Sequence, residues 1–448
     1  MLTIAEASAQ LRSGKLSSVG LTRPCLERIG KLDPELNAFI TVTADIALEQ
    51  ARRADTEITT GKRRGPLHGI PIALKDLIDV AGVRTTAASN QLRHHIATED
   101  AAIVRQLKHA GAVIVGKTNL HEFAFGGSGM VSAFGPARNP WDVTRIAGGS
   151  SSGSAAAVAA GMCVAAVGTD TAGSVRDPAA LCGIVGHRPS AGVWSLEGII
   201  PLRKSFDTVG LLTRTAEDAW IMLGALSDND GPADMSVRVD QVRVGIARVG
   251  FFDSVDVDVA KCVEEALEVL RAQVASMRDV QVEIGTKWTS FDVEILEYHH
   301  KMLAESPELY QPGTLERLRA CAAFPAAEFE QAKNELAAAR REAELIFDSM
   351  DVVLTPTCLV GTPKIADLDA MTATDLRAYE VQKLLRNTAP FSLLFWPSVS
   401  VPCGFTGEGL PVGLQISARP GGDELALRVA LAYEQVTDWH RRTSALAH

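Results

Sequence analysis

Three short stretches of this sequence hold side chains in arrangements that could carry out acyl transfer. The first is Gly69-Ile70-Pro71-Ile72-Ala73-Leu74-Lys75-Asp76. A lysine that ends an apolar strand is partly desolvated. Desolvation penalises its charged form, lowers its pKa and makes the neutral amine available as a base. The second is Gly148-Gly149-Ser150-Ser151-Ser152-Gly153-Ser154, which sets three adjacent hydroxyls between glycines at the mouth of a small-residue helix. The third runs from Gly168 to Pro178 as Gly-Thr-Asp-Thr-Ala-Gly-Ser-Val-Arg-Asp-Pro, leading from an apolar strand into a helical stretch. Its small residues can turn several backbone N–H groups toward one point, with Ser174 beside them. Acyl transfer needs such donors, because its tetrahedral intermediate carries an oxyanion. Each piece alone has an ordinary explanation: a snorkelling lysine, a capped turn, a strand-to-helix loop. Together they point to a serine nucleophile served by a lysine base.

Two motif matches lead elsewhere. Gly111-Ala112-Val113-Ile114-Val115-Gly116-Lys117-Thr118 fits the pattern of a phosphate-binding loop. Such a loop follows a strand and wraps phosphates, whereas here the middle residues are themselves an apolar strand preceded by a helix. Gly149-Ser150-Ser151-Ser152-Gly153 fits the G-x-S-x-G elbow, which would make Ser151 the nucleophile of an α/β-hydrolase-type esterase. That mechanism needs an acid and then a histidine later in the chain. His187, His299, His300 and His440 are the candidates, and they are scattered.

The elements around these residues alternate. Ala44–Ile58 and Ala101–Ala110 read as amphipathic helices, Ile70–Lys75 and Ala112–Val115 as short buried strands, and an alanine-rich helix at Ala155–Gly161 precedes strand Val164–Val167. That order predicts an α/β fold with a sheet covered on both faces. From Val242 to Met350 longer charged helices dominate, such as Asp256–Met277 and Ala326–Met350, and 242–350 reads as a helical insertion within a single domain spanning 1–448. Strands return at Val352–Thr355, Ser398–Pro402 and Val412–Ser417, before a closing helix at Asp423–Thr437, so the sheet draws on both ends of the chain.

The composition is that of an ordinary globular protein: 46% hydrophobic and 22% charged residues over 448 positions, enough to bury a core without disulfide or metal staples. The formal net charge of −10 argues against non-specific nucleic-acid binding, which requires basic patches. Seven scattered cysteines, with no CxxC pair, read as reduced thiols of a cytosolic protein. The N-terminus shows neither a basic nor an apolar leader region, and the most apolar stretch, Ala155 to Val167, is too short to span a bilayer. A cytoplasmic monomer or homodimer acting on a small molecule, with no membrane association, is expected.

Several ordered motifs resemble the amidase signature hydrolases over nearly the whole chain. They are Pro66–Asp76, Gly116–Ala124, Phe134–Asp142, the Gly/Ser cluster, Gly168–Pro178, Ser205–Gly210 and Gly409–Gln415. The resemblance implies a large mixed central β-sheet and a triad of lysine, a serine in a cis peptide and a nucleophilic serine. Those fall on Lys75, Ser150 and Ser174, with the oxyanion held by the N–H groups of Thr171, Ala172, Gly173 and Ser174. It implies no cofactor and no metal. The substrate would be an amide or a related carbamate, anilide or urea; an amidotransferase subunit working with a partner protein shares the same core. The sequence departs from the family's habit at Ser152, Ala172, His187 and Asp177.

Specificity is expected from Ala124, Phe125, Gly126, Gly127 and Ser128, from Asp177 beside the acyl pocket, and from an apolar entrance built by Trp288, Tyr298, Met302, Tyr310 and Phe324. A carboxylate at Asp177 would make acidic amides such as malonamate poor substrates, unless it pairs with Arg176 or Arg188.

Overall fold

The computed structural model describes residues 1–227, 238–282, 291–322 and 327–447. In chain order the strands are β1 (Phe39–Val42), β2 (Pro71–Lys75), β3 (Val113–Thr118), β4 (Arg138–Asn139), β5 (Asp142–Ile146), β6 (Ala165–Asp170), β7 (Val185–Arg188), β8 (Thr208–Thr213), β9 (Arg243–Ala247), β10 (Ser276–Val280), β11 (Val352–Pro356), β12 (Ser398–Phe405) and β13 (Pro411–Ala418). β4 and β5 pair with each other. The other eleven form one sheet in the order β1-β3-β2-β6-β8-β7-β12-β13-β11-β9-β10. The sheet is mixed: β2 is parallel to β3 and β6, and β9 is parallel to β10 and β11, while β12 and β13 are antiparallel.

Every residue of β2, β6 and β13 is buried, so helices cover both faces of the sheet centre, which explains the near-continuous apolar runs there. The alternation of β2 sets the site. Ile72 and Leu74 pack on one face against Ile103, Val104 and Leu107 of the helix Ala102–His109. Ala73 packs on the other face, in the cluster that holds Ala155 to Ala160. Lys75 is two residues beyond Ala73 and shares its face. It therefore runs in beside the helix Ser152–Ala159, whose residues are all buried.

The stretch 242–350 is less helical than expected. The helix entered at Asp256 stops at Arg271, and Ser276–Val280 pairs with β9 as an edge strand. Its polar, largely exposed residues carry no apolar period to reveal it. The seven cysteines are unpaired and buried. Among the described residues no helix is long and apolar enough to cross a membrane.

Candidate active site

β2 and β6 are parallel neighbours, so their C-terminal ends lie side by side. Lys75 ends one and Asp170 the other. Lys75 is fully buried. Its Nζ lies 2.7 Å from Ser150 Oγ, 3.0 Å from Thr169 Oγ1 and 3.4 Å from Thr169 O. Burial brings its pKa down to about 7, against the opposing pull of Asp207 and Asp170. The Gly149–Ser150 peptide is cis. The next N–H, from Ser151, donates to the carbonyl of Ser174 at 3.1 Å, and this ties the Gly/Ser cluster to the Ser174 loop.

Asp170 organises that loop. It accepts the N–H of Gly173 at 2.8 Å and of Val175 at 3.2 Å. Burial alone would raise its pKa, but Arg176, with Arg188, holds it down to about 2. Arg176 in turn donates to Thr388 O, Gln415 Oε1 and Ser392 Oγ, and Thr388 Oγ1 donates to Ala172 O at 2.7 Å. Gly173 has φ +135, and a Cβ there would lie 2.0 Å from Thr388 Oγ1. Asp170, Arg176, Thr388 and Gln415 received no role in the sequence reading. Asp170, Arg176 and Gln415 stood inside quoted motifs, but nothing local marks Thr388.

The four expected oxyanion donors divide. The N–H of Gly173 donates to Asp170 Oδ1 in this structure. Thr171, Ala172 and Ser174 line a cavity of about 440 Å³. Ala124, Phe125 and Gly126 line it too. Gly127 and Ser128 do not: Gly127 faces the Leu385 side chain, and Ser128 is buried, giving its N–H and hydroxyl to Glu380 Oε1.

Asp177 also leaves the cavity. Its carboxyl accepts from Gly149 N–H at 3.1 Å and from Cys358 Sγ at 3.2 Å. Burial pushes its pKa well up. Neither the acyl-pocket role nor the pairing with Arg176 or Arg188 holds, since both arginines turn to Asp170. The expectation about malonamate loses its basis. Tyr298 and Tyr310 cluster around Phe123 and His299, and Met302 packs on the same core. These three do not line the cavity; Trp288 and Phe324 lie outside the described residues. The lining is mostly apolar, with Phe125, Leu202, Val381 and Leu385 in it, and it also carries Arg203, Arg317, Arg377 and Glu380.

The rival motifs resolve as structure. Ser151 Oγ donates to Thr169 O at 3.3 Å, and among the described residues no histidine bonds it. His187 lies 3.4 Å from Asp423, and His299 meets the Tyr310 hydroxyl at 2.8 Å. Lys117 of the phosphate-loop pattern is buried in β3 and paired with Asp76 at 2.9 Å.

The family model described as Amidase matches residues 20–427. By sequence the chain is similar to a glutamyl-tRNA(Gln) amidotransferase subunit from Geobacter metallireducens, with 37% identity covering 99% of each chain. Among solved structures it is similar to one from work on a vestigial protein complex and the origins of an s-triazine catabolic enzyme. That likeness has a TM-score of 0.88 and 28% identity, covering 97% of this chain and 98% of the other. The peptide amidase of Stenotrophomonas maltophilia superimposes with a TM-score of 0.84 and 30% identity, covering 100% of this chain and 98% of the other.

Proposed function

We propose, from the premise that the chain belongs to the amidase signature family, that it hydrolyses a C–N bond through an acyl-enzyme formed on Ser174. Neutral Lys75 takes the proton of Ser150, Ser150 takes that of Ser174, and Ser174 Oγ attacks the carbonyl carbon. The N–H groups of Thr171, Ala172 and Ser174 receive the oxyanion. As the C–N bond breaks, the leaving nitrogen takes a proton from Ser150, which is refilled from Lys75. Water then gives its proton to the same relay and attacks the acyl carbon, releasing the acid and Ser174. The observation that carries this reading is the buried 2.7 Å contact between Lys75 Nζ and Ser150 Oγ, in a cluster that Ser151 ties to Ser174, a cavity-lining residue.

Two readings of the amide follow. A free-standing hydrolase of small amides, carbamates or anilides uses the mechanism as written. An amidotransferase subunit would use it to release nitrogen for glutamyl-tRNA(Gln) together with partner subunits. The sequence relatives, matched over 99% of this chain, weigh for the subunit more than for the lone hydrolase that the motifs alone put first.

The test is turnover of the lone protein on primary amides, p-nitroanilides, carbamates and glutamine, beside Ser174→Ala and Lys75→Ala. Activity lost in both variants, with an acyl adduct on Ser174 seen by mass spectrometry, supports the mechanism. A lone protein that is inert but active with partner subunits supports the subunit reading. Undiminished turnover in Ser174→Ala overturns both.

A further inference from the structure

Four charged side chains line the cavity, three of them arginines. The guanidinium carbons of Arg203, Arg317 and Arg377 all lie 5.7–6.0 Å from the centre of the Phe125 ring. Two of them are committed at close range. Arg317 pairs with Glu380 Oε2 at 2.9 Å and donates to Phe125 O. Arg203 donates to Asp292 Oδ1. Arg377, on the helix Ala373–Tyr379, makes only a long contact among the described residues, 3.8 Å to Asp292 Oδ2, and its side chain is 29% exposed. With Asp292 and with Asp207, which bears on Arg203 and accepts from the cavity residue Thr171, three carboxylates stand near three guanidiniums, but Arg377 has no close one among the described residues.

We propose that the cavity selects an amide bearing a carboxylate, that Arg377 receives that carboxylate, and that a neighbouring ammonium on the substrate is disfavoured. The proposal rests on the Ser174 hydrolase reading and names its substrate class. A guanidinium with free N–H groups takes a carboxylate through two parallel bonds, a geometry that a neutral alkyl group cannot use. Glu380 is already engaged. Its Oε1 holds the N–H and hydroxyl of Ser128 and its Oε2 holds Arg317, and no other carboxylate lines the cavity among the described residues. An α-ammonium beside Arg377 would meet a like charge and carboxylates already engaged by other donors. Glutaramate is therefore expected to bind better than glutamine, from which it differs only by lacking the amino group.

Binding is measured apart from turnover, by calorimetric titration of the Ser174→Ala protein. Succinamate, glutaramate and N-acetyl-β-alanine are compared with butyramide, valeramide and N-propylacetamide, in which a methyl replaces the carboxylate. The tightest acid is expected to bind about ten-fold or more tightly than its neutral mate, weakening as salt is added, and glutamine is expected to bind less tightly than glutaramate. Arg377→Gln in the same background is expected to erase the acid preference. Arg377→Lys, which keeps the charge without the fork, is expected to retain part of it.

Acids that bind no tighter than neutral amides, a preference that survives Arg377→Gln, or glutamine binding more tightly than glutaramate would each overturn the inference. Wild-type turnover separates the two claims. Acids that bind yet leave no product and no acyl-Ser174, with or without partner subunits, sink the hydrolase reading and leave the anion site standing. Neutral amides cleaved without any acid preference sink the anion site alone.

Discussion

Arg176 grips Asp170 with two prongs, Nε to Oδ2 and Nη2 to Oδ1, each at 3.0 Å. Both residues are fully buried. The same two oxygens take the N–H groups of Gly173 and Val175 on either side of Ser174, so one ion pair fixes the backbone of the Ser174 loop. Removing one partner of a buried pair leaves an uncompensated charge and costs about 3–5 kcal/mol. Arg176→Met is expected to lose stability on that scale in urea unfolding. Arg176→Lys keeps the charge but not the fork, and is expected to lower kcat more than it raises KM.

The depressed pKa of Lys75 gives two pH dependences. kcat/KM is expected to rise with pH through about 7 as the amine becomes neutral. The folded-state value lies below the ordinary 10.5, so between them the unfolded chain binds one proton more than the folded one. Stability contributed by this group therefore increases as pH rises from about 7 toward 10.5. Lys75→Met should remove that part of the slope in denaturant titrations run across the window. An unchanged slope would mean that Lys75 titrates normally.

Gly173 is placed where a side chain has neither the backbone conformation nor the space, with Thr388 Oγ1 in the way. Gly173→Ala is expected to lose about 1–3 kcal/mol of stability and most of the turnover. Adding Thr388→Ala removes the clash but not the positive φ, so recovery in thermal unfolding should be partial.

Asp177 supports the Gly/Ser cluster from behind by accepting the Gly149 N–H. Asp177→Asn retains an acceptor oxygen and is expected to keep most of the activity near neutral pH, because burial already favours the uncharged acid. Asp177→Leu strands a buried N–H, a loss of about 1–3 kcal/mol. It should depress kcat with little change in KM. Equal behaviour of the two variants would argue against the contact.

What was legible in the sequence follows the range of the interactions. The apolar run to Lys75, the alanine helix and the small-residue loop before Ser174 are local patterns, and the fold uses them locally. Arg317 and Arg377 reach the cavity from helices far along the chain, with no motif around them, so only tertiary packing joins them to Phe125. Asp177 misled because three residues past the nucleophile suggests the pocket. On the helix Arg176–Cys182 its side chain turns instead toward Gly149 and Cys358. β10 escaped notice because an exposed edge strand need carry no hydrophobic period.

The position of β13 bears on how the protein comes to life during synthesis. This strand lies inside the sheet, between β12 and β11, and carries Gln415, whose side-chain oxygen receives Arg176. A nascent polypeptide still threading through the ribosome lacks that anchor until residue 418 has emerged. The surroundings of Ser174 are thus complete only after β13 has been made, long after Ser174 itself.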